Sequence, residues 1–99
     1  MRVVYEDEAL RRLAEDATYV PKQWGPDVIT AYRKKIQLIG AAPDERDLRA
    51  IRSLHLEQLT GNRKGQCSIR LNAKFRLILS FVTDGDRVAV IIELSNHYQ

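Results

Sequence analysis

A single cysteine, Cys67, is all that this chain of 99 residues carries, so no internal disulfide can form. One thiol and two distant histidines, His55 and His97, cannot fill a tetrahedral shell, so no metal and no cofactor are expected. There is no glycine-rich phosphate loop, and Ser68, Ser80 and Ser95 have no nucleophile-elbow context, which argues against nucleotide-binding and serine-hydrolase chemistry. Long apolar runs are missing too. The strongest, Val88 to Leu94, is interrupted by Glu93 and is far too short to span a bilayer. No signal-peptide pattern opens the chain, so a cytoplasmic address and no membrane partner are expected.

What is present suits one globular domain over residues 1–99, with 44% hydrophobic and 29% charged residues. The formal charge of +3 says little on average; its placement says more. From Arg46 to Arg76 eight cations (Arg46, Arg49, Arg52, Arg63, Lys64, Arg70, Lys74, Arg76) face two acids, Asp47 and Glu57. The N-terminal part instead mixes Glu6, Asp7, Glu8 and Glu15 with arginines, as a solvated helix face does.

Periodicity predicts an opening strand at Arg2 to Tyr5 and a helix from Asp7, with Ala9, Leu10, Leu13 and Ala17 on one stripe, ended at Val20-Pro21. A second helix opens at Gly25-Pro26-Asp27, buries Val28, Ile29, Tyr32, Ile36 and Ile39, and stops at Gly40 to Pro43. Asp44 and Asp47 cap a short helical turn through Ile51, followed by an irregular stretch from Leu54 to Gly61. Beyond Gly65 the period changes to two. Cys67, Ile69 and Leu71, then Phe75, Leu77, Leu79 and Phe81, alternate with polar neighbours around an Asn72-Ala73-Lys74 turn, and a second turn at Asp84-Gly85-Asp86 feeds the last strand. The order β-α-α-β-β-β predicts an α+β fold with two N-terminal helices packed on one face of a small antiparallel sheet.

That alternation puts Arg70 and Arg76 on one open sheet face, opposite the apolar set. Guanidinium groups grip phosphate oxygens through paired, charge-assisted hydrogen bonds and stack on bases, as single-stranded RNA recognition requires. Two arginines alone would better suit a plain solvated strand face. Arg63, Lys64 and Lys74 bring five cations around one predicted surface, which turns the reading toward nucleic acid. His55 and His97 flank the sheet outside the apolar periodicity, where either could serve as a general acid or base or as an ordinary structural group.

Leu54-His55, Glu57, Leu59, Gly61, Arg63-Lys64-Gly65, Ser68-Ile69-Arg70, Asn72 and Phe75-Arg76, with an echo at Glu93 to Tyr98, resemble the HigB (killer protein) branch of the RelE/ParE toxin superfamily. The resemblance implies a RelE-like fold and the toxin of a type II toxin-antitoxin pair: a ribosome-dependent, metal-independent mRNA endonuclease that inhibits translation, with the RNA 2′-hydroxyl as nucleophile. By position, Arg70 and Arg76 would stabilise the scissile phosphate, while His55, His97 and Tyr98 would be the proton-transfer candidates. Arg63, Lys64 and Lys74 would hold RNA. HigB-like chains commonly end in Asp-Tyr-His, where this chain has Asn96-His97-Tyr98; Cys67 and Phe75 stand in place of frequent tryptophans. Expected partners are the ribosome, mRNA and a HigA-like helix-turn-helix antitoxin, with operator DNA reached only through the antitoxin complex. A ParE-like gyrase poison shares the fold and is the alternative, as is a degenerate, non-catalytic member that binds RNA or antitoxin, a reading motivated by the altered C-terminal triplet.

Overall fold

The computed structural model describes residues 1–96. The chain opens with strand β1 (Arg2–Tyr5), and Asp7 then starts helix α1 (Glu8–Glu15) by accepting the Ala9 N–H at 2.7 Å. α1 stops earlier than its apolar stripe predicts. Asp16 Oδ1 accepts from both the backbone N–H and the hydroxyl of Thr18, which turns the chain out of the helix and leaves Ala17 beyond its end. The Arg33 guanidinium donates to the carbonyls of Leu13, Asp16 and Tyr19, supplying partners at the end of the helix and along the turn after it.

Helix α2 (Pro26–Ala41) begins with proline in its first turn and ends where the Ala42 N–H bonds back to Leu38 and Ile39, just before Pro43. The short helix α3 (Glu45–Arg49) is held by a reciprocal cap: the Asp44 side chain accepts from the helix backbone, and Asp47 accepts from the Asp44 N–H. A single 3-10 turn at Arg52–Leu54 leads to the two-residue strand β2 (Glu57–Gln58), inside the stretch whose sequence reads as irregular. Then come β3 (Cys67–Arg70), β4 (Phe75–Asp84) and β5 (Asp86–Asn96). Gly85 alone separates β4 from β5, in a left-handed conformation (φ 73°) that glycine adopts without a Cβ clash.

The strand order is β1-β5-β4-β3-β2. Neighbours from β2 to β5 are antiparallel as expected, but β1 runs parallel to β5. No hairpin joins those two strands, since the helices and strands β2 to β4 all lie between them in the chain, so no local turn dictates their sense. Leu10 and Leu13 from α1, Ile29, Tyr32 and Ile39 from α2, and Leu48 and Leu54 pack with Cys67, Ile69, Leu77, Leu79, Ala89 and Ile91 in one core. The helices therefore cover a single face of the sheet. Inside that core the Tyr32 hydroxyl donates to the Leu10 carbonyl at 2.8 Å, and burial raises its pKa well above the ordinary tyrosine value. Among the described residues no helix is long and apolar enough to cross a membrane.

Candidate functional site

The face turned away from the core carries the charge. Register sets Glu57, Ser68, Ile78 and Glu93 side by side across β2, β3, β4 and β5, and the next row holds Arg70, Arg76 and Ser95. Arg70 and Arg76 are direct cross-strand partners, so the alternation seen in the sequence does bring them together. Two like charges at that separation repel unless anions intervene, which makes the pair a natural receiver for a phosphate.

The two arginines differ in how they are held. Arg70 is exposed and forms no ion pair among the described residues. The Arg76 side chain is only 12% exposed, and the expectation of two equally open cations gives way to one free and one fastened. Its Nε donates to Ser68 Oγ at 2.8 Å, its Nη2 donates to the His55 carbonyl at 2.8 Å, and Glu57 Oε1 stands 2.9 Å from Nη2. A guanidinium has two bidentate edges. The Nε–Nη2 edge is taken up by protein, and Nη1–Nη2 is the edge that remains for an incoming anion. Glu57, 63% exposed, can move aside.

His55 itself adopts a left-handed backbone (φ 49°, ψ 51°), the only non-glycine residue among those described with positive φ. Such a conformation is sparsely populated outside glycine and asparagine, and here it accompanies a carbonyl directed at Arg76. His55 is exposed to solvent. Arg63 is not the freely steering cation that the sequence suggests: it pairs with Glu93 and donates to Gln66 Oε1 at 2.9 Å, lying over the same face. Lys64 and Lys74 are exposed on the two loops that flank β3. Asn72 shapes the second of these loops by accepting the N–H groups of Lys74 and Phe75 and donating to Asp27 of α2, whose carboxyl is held below its ordinary pKa by that bond. His97 and Tyr98 lie outside the described residues.

Ser68, Glu57 and Glu93 are the members of the site that sequence reasoning did not single out for a role. A faint signal existed, because Ser68 alternates onto the same face as Arg70 and is a polar residue in a strand that is otherwise buried. Gln58 and Cys67, one step out of phase with Glu57 and Ser68, line a recess of about 410 Å³ together with Lys64 and Gln66 of the loop before β3. Burial pushes the Cys67 thiol above its ordinary pKa, which disfavours the thiolate form. Among the described residues no cluster of His, Cys, Asp and Glu is suited to hold a metal ion.

Comparison with known proteins adds independent findings. Residues 4–97 match a family model described as the RelE-like toxin of type II toxin-antitoxin system HigB. Toxin HigB-1 of Vibrio cholerae serotype O1 is 37% identical over 93 residues, covering 94% of this chain and 84% of that protein. Among solved structures, a YoeB/ParE toxin from Agrobacterium tumefaciens superposes with a TM-score of 0.57 at 18% identity, covering 99% of this chain and all (100%) of that one. A YoeB-YefM complex from Staphylococcus aureus gives 0.60 at 18% identity, covering 99% and 98%. At that identity the two structures speak to the fold alone.

Proposed function

This chain belongs to the HigB-like toxins of type II toxin-antitoxin systems, and from that membership we propose that it is a ribosome-dependent mRNA endonuclease that needs no metal. The observation that carries the reading is the Arg70–Arg76 cross-strand pair on the sheet face that no helix covers. Attack of an RNA 2′-hydroxyl on the adjacent phosphorus forms the 2′,3′-cyclic phosphate and breaks the bond to the 5′-oxygen. Negative charge then grows on the non-bridging oxygens, and the two guanidinium groups stabilise it, Arg76 from a position already held by the protein.

One group must take the 2′-hydroxyl proton and another must return a proton to the leaving oxygen. His55 is proposed for one of these transfers, since its exposed ring stands on the residue whose carbonyl holds Arg76. His97 and Tyr98 are the proposed candidates for the other. Arg63, Lys64 and Lys74 guide the RNA backbone, and Arg63 exchanges Glu93 for a phosphate as the strand arrives.

The antitoxin is proposed to be a HigA-like helix-turn-helix protein; the Staphylococcus aureus neighbour was itself solved as a YoeB-YefM complex. The test is induction of the chain in bacteria with mapping of transcript ends, alongside cleavage of ribosome-bound message in vitro with and without EDTA. Cut messages and EDTA resistance are expected, and Arg76→Ala should slow cleavage by about 10²–10³-fold. Intact messages with supercoiling defects would replace this reading with a gyrase poison.

A further inference from the structure

Ser68 is 1% exposed and, with Tyr32, carries a hydroxyl into the fully buried set among the described residues. It sits mid-strand between Cys67 and Ile69, both buried, at a position where valine, isoleucine or threonine would fill a strand better. A hydroxyl carried into such a place costs free energy unless it is bonded. Its partner is Arg76 Nε, at 2.8 Å.

That bond is directional in a way that matters for a phosphate. Nε is the one guanidinium nitrogen fixed to the side-chain stem, so a hydrogen bond there sets the rotation of the whole planar group. With Ser68 on Nε and the His55 carbonyl on Nη2, the same edge is held from two sides, one by a buried side chain and one by backbone. The plane and heading of the fork are thereby settled before any ligand arrives. Without the serine, the His55 carbonyl and the mobile Glu57 would remain, both acting on Nη2, and the group could swivel about that nitrogen.

We propose that Ser68 is a positioning residue: it aims the free edge of Arg76 at the scissile phosphate, and its hydroxyl is kept in the strand for that purpose. The proposal rests on the endonuclease reading for its effect on rate, while the geometry it asserts can be read without any activity. In Ser68→Ala the strand keeps its shape and loses only the oxygen.

The first arm follows the Arg76 Nε–H signal by ¹⁵N NMR in the free chain. Slow solvent exchange is expected in the parent protein and fast exchange in Ser68→Ala; an unchanged exchange rate overturns the proposal. The second arm measures cleavage of ribosome-bound message. Ser68→Ala should lower kcat by about 10- to 100-fold with little change in KM, because the phosphate is still bound but off line. The third arm repeats the substitution in an Arg76→Lys background, whose ammonium has no Nε to hold. There Ser68→Ala should cost nothing further, whereas equal losses in both backgrounds would mark the serine as merely structural. If the parent chain cuts no message, the endonuclease reading fails and the NMR arm still decides the positioning of Arg76.

Discussion

The two faces of the sheet are built from the same strands and obey opposite rules. On the helix side, Cys67, Ile69, Leu77, Leu79, Ala89 and Ile91 are buried against Leu10, Leu13, Ile29, Tyr32 and Ile39. On the other side, Arg76 is satisfied by Glu57 and Ser68, and Glu93 by Arg63, beside the free Arg70, with Ile78 buried among them in the same register. Because side chains alternate along a strand, stability and chemistry are separated by one residue. Arg76 belongs in part to both, since it is nearly buried and is held by groups that the fold must supply.

The sharpest way to break the contrast is at its apolar pole. Leu79→Ala removes a fully buried side chain from the core, and denaturant unfolding should show a loss of about 2–5 kcal/mol, with any loss of toxicity secondary to unfolding. Arg76→Ala comes next. It strips Ser68 of its partner and should cost about 1–3 kcal/mol of stability together with the loss of cleavage, so this residue is not the neutral surface position that strand alternation alone suggests.

A smaller effect is expected at the rim, where Glu45 of α3 pairs with Arg87 of β5. The Arg87 hydrogen bond holds the Glu45 carboxyl below its ordinary pKa, so the charged form is favoured in the folded chain. Its contribution is fully present above the ordinary glutamate value and disappears as pH falls through the depressed one. Glu45→Gln should therefore cost about 1 kcal/mol near neutral pH, and melting curves of the two proteins should converge in acid. A gap that persists unchanged at low pH would show that charge is not what joins α3 to the hairpin. Least affected in stability should be Arg70→Ala, within about 0.5 kcal/mol, since the side chain is exposed; cleavage should nonetheless fall. If Arg70→Ala destabilised the domain as much as Arg76→Ala, the division into a free and a fastened arginine would be wrong.

Much of this was legible from local pattern. The cap at Asp44 and Asp47, the proline start of α2 and the β3–β4 and β4–β5 turns are each written within a few residues, and each appears in the fold. Cross-strand pairing of Arg70 with Arg76 was readable for the same reason, since the short Asn72-Ala73-Lys74 turn fixes the register. The early end of α1 was not, because its determinant is the Asp16–Thr18 turn together with Arg33 reaching over from another helix. Nor was the occupancy of the cations. Arg63 and Glu93, or Arg76 and Glu57, meet only once β2 to β5 lie side by side.

By itself, then, the sequence determined the elements apart from β2 and the end of α1, the polarity of each sheet face and the resemblance to HigB-like toxins, because strand alternation, capping and turn chemistry act over short stretches of chain. The tertiary structure decided that β1 runs parallel to β5, that Arg76 is fastened while Arg70 stays free, and that Ser68 is a partner rather than a bystander. Those outcomes depend on which groups from distant strands come within hydrogen-bond reach, and periodicity carries no information about that distance.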